Sequence, residues 1–318
     1  EWLSFLLFWG MNVAIIYKGM NLLRLVENWA APFVLVMTGV LLVWAIREAH
    51  GLGPLLRQPG KLDSWSTFLP VFVPSLTAMI GFWATLSLNI PDFTRYAKSQ
   101  RDQIAGQALG LLTTMPLVAF IGVAVTSATV EIYGAPIWNP VDLLARITAE
   151  SGNPLIGLVS MGAILVATLT TNIAANIVAP AVSFANLAPG RISFRAGGLI
   201  AGLIGVVILP WKLLDVYQTW LISYSGLLGS AGGVLVADYV VVRKGVLVVE
   251  DLYSRRGRYG YVGGVNRAAM IALATGIAVA LAGVFVPGAR FLFDGAWFSA
   301  AIVSFIVYVT LMTRKGTA

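Results

Sequence analysis

Residues Ala167–Pro180, ATLTTNIAANIVAP, decide how this chain is read. They place Thr168, Thr170, Thr171, Asn172 and Asn176 inside an apolar run long enough to cross a bilayer. Hydrocarbon offers such groups no water, and leaving one unpaired costs roughly 2–7 kcal/mol, depending on the reference state. Five of them within nine residues point to a ligand, an ion or another helix facing them. At about 100° per residue, Asn172 and Asn176 continue a stripe begun by Thr168. Ala167, Thr170 and Thr171 form a second face that carries hydroxyls. An amide donates and accepts at once, which suits the N–H/C=O edge of a ureide, pyrimidine or purine. Hydroxyl and carbonyl oxygens are hard ligands suited to a small cation. The same side chains also serve as hydrogen-bonding glue between packed helices.

The rest of the chain supplies the membrane. Its 318 residues are 58% hydrophobic and 11% charged, against about 25% charged in soluble domains. The mean hydropathy is +0.84. No globular surface is built from such an inventory. Apolar runs of about 20 residues between charged loops indicate helices, since only helices and closed barrels satisfy the backbone in lipid. The alternation of a barrel strand is absent. Cysteine is absent, and the single histidine, His50, lies in a polar loop, so a histidine-rich metal site is excluded. The net charge of +7 is read as cytoplasmic loops. No basic block with interleaved aromatics suggests a nucleic-acid groove, so no nucleic-acid partner is expected.

Nine spans are predicted: Trp2–Ile16, Asn28–Ile46, Thr67–Ile90, Ile104–Ser127, Pro154–Val178, Phe194–Leu209, Leu213–Ala237, Ala268–Val286 and Ala296–Met312. With Glu1 outside, fifteen of the 21 Lys and Arg fall in inner loops and six in outer ones. That bias predicts a multi-pass protein of the cell (inner) membrane with a cytoplasmic C-terminus. The chain opens on Glu1 and turns apolar at once, with no n-region or cleavage site. It reads as cut near the start of a helix. The alternating VLVVEDLY after Lys244 predicts a strand or surface hairpin. WNPVDLLARI, from Trp138, predicts an amphipathic turn on the outer surface. Neither loop carries a catalytic constellation, so no enzyme is expected.

A second polar helix covers Thr67–Ile90. Pro70 and Pro74 interrupt its first half, and Gly81 precedes Phe82 and Trp83. A glycine at mid-membrane depth lets a helix unwind beside a cavity. The indole offers a stacking face for a flat heterocycle. In Leu213–Ala237, Tyr224, Ser225, Gly226, Gly229, Gly232 and Gly233 suit either close packing or a moving gate. Its acids, Asp215 and Asp238, lie at its ends, so no deep carboxylate relay is visible. Tyr224, Leu227 and Leu228 are the candidate gate.

Four stretches together resemble the nucleobase–cation symporter family 1: IYKGMNLLRLVENWAAPFVLV (16–36), GFWATLSLNIPDFTRYAKSQRDQIAGQALG (81–110), ATLTTNIAANIVAPAVSFANLAPGRISFRAGGLI (167–200) and YSGLLGSAGGVLVADYVVVR (224–243). The resemblance implies an all-α, LeuT-like inverted-repeat fold, with family helices four to twelve present and the first three missing. Residues 1–318 would be one truncated transporter domain, with a complete second repeat at about 67–237 and two extra helices at 268–312. The implied function is symport of a purine, pyrimidine, allantoin or hydantoin with sodium or a proton, with no other cofactor. Carried over by motif, Trp83 resembles the substrate-stacking tryptophan, with Gly81 and Phe82 as neighbouring wall. Asn176 resembles the substrate-binding asparagine, with Asn172 nearby. Ala167, Thr170 and Thr171 resemble the half of a sodium site carried by that helix. The site expected there pairs a serine with a threonine, whereas this chain has two threonines, and both supply an oxygen. A monomer in the lipid bilayer is expected. The alternatives are a same-fold carrier of another solute, such as an amino acid, and a non-transporting sensor or scaffold.

Overall fold

The computed structural model describes residues 2–18, 20–52, 60, 62–209, 216–254 and 256–315, without the side chains of residues 20–27 and 315. Leu213–Asp215, predicted to open a span, lie outside the described residues, as does Pro210. The principal helices are α1 Trp2–Lys18, α2 Met20–Glu48, α3 Trp65–Trp83, α4 Gln100–Leu109, α5 Met115–Tyr133, α6 Pro140–Ser151, α7 Pro154–Asn172, α8 Ala179–Leu187, α9 Phe194–Ile208, α10 Tyr217–Val236, α11 Arg267–Phe285 and α12 Ala296–Lys315. Capping residues set their starts. Asn139 and Asn153 each precede a proline, and each side chain accepts from the backbone N–H two residues on. Ser64 caps α3 in a reciprocal box with Thr67.

Among the described residues, seven helices are long and apolar enough to cross a membrane, so this is an all-α, multi-pass membrane protein. The other two predicted spans fall on shorter apolar helices, Trp2–Lys18 and Phe194–Ile208. At 1.5 Å per residue, 15–17 residues reach only about 22–26 Å, short of a hydrocarbon core of about 30 Å. The expected count of nine is therefore seven by length, plus two short helices. Two of the seven run 34 residues, Gln100–Tyr133 and Pro154–Leu187. Each passes through a π-helical turn, at Gly110–Thr114 and Ile173–Val178.

The chain divides into two compact units. The first comprises Glu1–Gly60 and Thr94–Leu209. One of its cores joins Ala45 of α2 and Ala49 just beyond it, Ile121, Val125 and Ala128 of α5, and Leu143 of α6. The expected amphipathic turn is a full helix, α6, which buries Leu143. A second core gathers Ile16 of α1 with Leu169, Ile173, Ile177 and Val178 of the long α7–α8 helix. Trp9 Nε1 donates to the Gly202 carbonyl at 3.0 Å, which ties α1 to α9.

The second unit comprises Lys61–Phe93 and Pro210–Ala318. Ala78, Leu221, Ile222, Ala280, Phe293, Ala296 and Ala300 form one of its cores. Glycine admits close helix contact here. A Cβ at Gly229 would lie 2.5 Å from the Trp297 carbonyl oxygen, and one at Gly233 would overlap the Ala301 carbonyl. The Ser304 hydroxyl donates to the Ser230 carbonyl at 2.9 Å. Beyond α10, Asp238 accepts from Tyr308 at 2.6 Å and from Arg243 Nε at 2.5 Å. Arg243 also donates to the Tyr261 hydroxyl at 2.8 Å, so the ion pair pins the following loop. The expected strand at VLVVEDLY is absent: Val249–Leu252 form one helical turn. Alternation there has no second strand to pair with, and among the described residues bridging is confined to Val262 and Val265.

Candidate functional site

In the first unit a line of amides runs from the π turn after α7, through the end of α7, to α1. The Asn176 Nδ2 donates to Asn172 Oδ1 at 2.9 Å. Asn172 Nδ2 donates to Asn12 Oδ1 at 3.0 Å, and Asn12 Nδ2 donates to the Phe8 carbonyl at 2.8 Å. Exposure falls along the line: Asn176 is exposed, Asn172 half-buried and Asn12 only 3% exposed. The two asparagines predicted from the sequence are brought together, and a third joins them from α1. Asn12 was missed because it is a lone amide in an apolar span whose partner lies 160 positions away. Its only sequence signal is that isolation within WGMNVAII.

The π turn at Ile173–Val178 begins directly after Asn172. An i→i+5 turn advances less per residue than an α turn, so residues beyond it rotate away from where a regular helical wheel puts them. Asn176 therefore does not stand where the wheel places it, yet it remains one turn from Asn172 and bonded to it.

On the neighbouring face, the Thr170 hydroxyl donates to the carbonyls of Val166 at 2.9 Å and Ala167 at 3.2 Å. Thr170 and Ala167 oxygens are thus adjacent, with the hydroxyl hydrogen turned to the backbone and its lone pairs facing away. Thr171 and Thr168 are exposed. Ala167 also borders an apolar cavity of about 370 Å³, lined by Val34, Trp44, Ile156, Ser160 and Ala163 among others. The oxygens on this face include the Thr170 hydroxyl and the Val166 and Ala167 carbonyls that it bonds.

In the second unit α3 is unbroken through Pro70, Pro74 and Gly81. It ends at Trp83, and short helical turns at Leu86–Asn89 and Pro91–Thr94 follow. The expected unwinding at Gly81 is not seen, and at the turn that follows, Ala84 and Thr85 keep right-handed helical backbone. Gly81 serves close packing instead: a Cβ there would overlap the Leu221 carbonyl and lie 3.1 Å from Ser225 Cβ. Trp83 is 37% exposed and meets Phe82 edge-to-face at 5.6 Å. On α10, Tyr224 stacks on Trp220 at 5.0 Å and 8°, and Trp220 on Tyr217 at 6.2 Å. Tyr224 and Leu227 line a cavity of about 270 Å³. Leu228, 4% exposed, is buried, as the turn of about 100° between successive residues dictates.

The profile of the family described as "Permease for cytosine/purines, uracil, thiamine, allantoin" matches residues 1–299. The chain belongs to this permease family. It is similar to an allantoin permease from Bacillus subtilis (strain 168), 42% identical over 98% of this chain and 63% of that protein. It is equally similar to a purine-uracil permease from Arabidopsis thaliana, 42% identical over 99% of this chain and 54% of that protein. The chain therefore spans less than two thirds of the length of these curated relatives. Its fold is that of a nucleobase-cation-symport-1 family transporter solved in a closed conformation with bromovinylhydantoin bound. The TM-score is 0.76 at 24% identity, covering 97% of this permease chain and 66% of that one.

Proposed function

We propose that the protein carrying this chain is a secondary symporter that imports a planar nucleobase-like heterocycle, a purine, pyrimidine, allantoin or hydantoin, coupled to sodium or a proton. The observation that carries this reading is the exposed Asn176 amide, in the π turn after α7, at the head of a hydrogen-bonded amide line. Asn176 would bond the heterocycle's polar edge with Asn172 behind it. Trp83 would supply a stacking face, with Gly81 and Phe82 beside it. Ala167, Thr170 and Thr171 would offer oxygens to a coupling cation, and the adjacency of the first two supports that role. Tyr224 and Leu227 would act as a gate, backed by the buried Leu228.

In this reading the helices follow an LeuT-like inverted-repeat plan as family helices four to twelve. Residues 67–237 form a complete second repeat, and 268–312 form two further helices within a single transporter domain. The protein works as a monomer in the cell membrane with its C-terminus in the cytoplasm. Family membership favours this over a sensor or an amino-acid carrier. The test is uptake of radiolabelled allantoin, uracil, hypoxanthine and hydantoin by cells expressing the full-length protein, with and without sodium and with a protonophore. Concentrative uptake of one of them, lost in Trp83→Ala, is expected. Uptake of none would refute the proposal.

A further inference from the structure

We infer that Asn12 is a positioning residue that fixes which way the Asn176 amide faces, and thereby requires an N–H donor of the ligand. This rests on the reading of Asn176 as a ligand-binding residue. The chemistry runs from the buried end outward. A backbone carbonyl only accepts, so Asn12 must turn its Nδ2 toward Phe8 O, 2.8 Å away. Its Oδ1 is then turned to Asn172, which must present Nδ2, at 3.0 Å. That leaves Asn172 Oδ1 for Asn176, which must in turn present its own Nδ2, at 2.9 Å. One carbonyl thus sets the direction of three amides.

Reversal is penalised wherever it begins. Turning Asn176 alone sets two amide oxygens face to face. Turning all three sets Asn12 Oδ1 against Phe8 O in a site only 3% exposed, where water cannot mediate. The anchor helix is itself held: Trp9 bonds Gly202 O, and Ile16 lies in the core with Ile173 and Ile177. At the outer end, Asn176 retains Oδ1 and one N–H, and among the described residues its Oδ1 accepts no hydrogen bond. A lone asparagine meets a donor or an acceptor by rotating its amide. This one is held with its carbonyl in a fixed place, so the ring position that faces this carbonyl must carry an N–H and not an oxygen.

The experiment uses the full-length protein that carries this chain. Binding of uracil is compared with 1-oxauracil and 3-oxauracil, and hydantoin with oxazolidine-2,4-dione. In each pair a ring oxygen replaces an N–H at almost unchanged shape. The parent is expected to disfavour at least one oxa analogue roughly tenfold or more. In Asn12→Leu the outer amides are released, and that ratio is expected to fall below about threefold. Asn12→Asp, as the neutral acid, donates its O–H to Phe8 O and still offers an acceptor to Asn172, and is expected to keep the parental ratio. With allantoin, uracil or hydantoin as ligand, the affinity lost in Asn12→Leu is expected to vanish in an Asn176→Ala background. If Asn12→Leu does not accumulate, Asn12→Ser, one atom shorter than the amide, answers the same question. A parental ratio retained in the released variant, or an equal loss in the Asn176→Ala background, overturns the inference while leaving transport intact. A parent that binds none of allantoin, uracil, hydantoin and hypoxanthine removes the functional reading and this inference with it.

Discussion

Gly229 gives the sharpest test of how α10 is held. A Cβ built there lies 2.5 Å from the Trp297 carbonyl oxygen and 3.1 Å from Trp297 Cα, where ordinary contact begins at 3.4 Å. About 0.9 Å of overlap must therefore be relieved. The obstacle is α12 backbone, which cannot swing aside as a side chain does, so the two helices must separate. Overpacking of this kind costs about 1–3 kcal/mol. Alanine returns up to about 1 kcal/mol of helix propensity, which leaves a net loss of up to about 2 kcal/mol for Gly229→Ala. Adding Gly233→Ala, whose Cβ would meet the Ala301 carbonyl, extends the strain along the same seam. The internal control is Gly162→Ala on α7, where nothing lies within 4 Å of the new methyl. That variant keeps the propensity gain and loses nothing. Thermal unfolding of the full-length protein in detergent reads the difference. Gly229→Ala should melt several degrees below the parent, the double variant lower still, and Gly162→Ala at or above the parent. If Gly229→Ala melts with or above Gly162→Ala, the reasoning from backbone overlap is wrong.

Other predictions concern the loop pin and the cation face. Asp238→Ala leaves the Arg243 guanidinium, mostly buried, without its carboxylate. A loss of about 3–5 kcal/mol is expected, together with faster proteolysis between residues 243 and 266, and intact protease resistance would refute the pin. Tyr308→Phe removes one of the two bonds to Asp238 and is expected to cost about 1–3 kcal/mol by the same melting assay. Thr170→Val keeps the shape but removes the hydroxyl oxygen beside Ala167 O. It should weaken cation dependence of substrate affinity roughly tenfold, with Thr170→Ser restoring it. Unchanged cation dependence in Thr170→Val would exclude this hydroxyl from the site.

What the sequence made legible follows from where its signals are local. Long apolar runs announce the helices whose composition alone commits them to lipid, and the pair Asn172/Asn176 is visible because its members lie one turn apart. Asn12 is invisible for the opposite reason: its significance depends on a contact between remote segments, which no periodicity records. The π turn after Asn172 escapes a helical wheel because the wheel assumes one rotation throughout. Gly81 was read as a point of weakness, yet it is where α3 meets the Leu221 backbone. A glycine that permits unwinding and one that permits close approach look the same until the neighbour is known. The alternation in VLVVEDLY misled because a strand needs a partner as well as a pattern.

The interleaved composition of the second unit has a consequence for synthesis. Its helix α3 ends at Trp83, whereas its partner α10 begins at Tyr217, after much of the first unit. At translation rates of about 5–20 residues per second, α3 waits roughly 7–28 s before Leu221 exists to cover Gly81. Of the seven membrane-length helices, the segments containing α3 and α10 have the lowest hydropathy. The newborn α3 must therefore hold its place in the bilayer on its own apolar character. Until the last third of the chain emerges, the face of α3 at Gly81 lacks the α10 backbone that covers it.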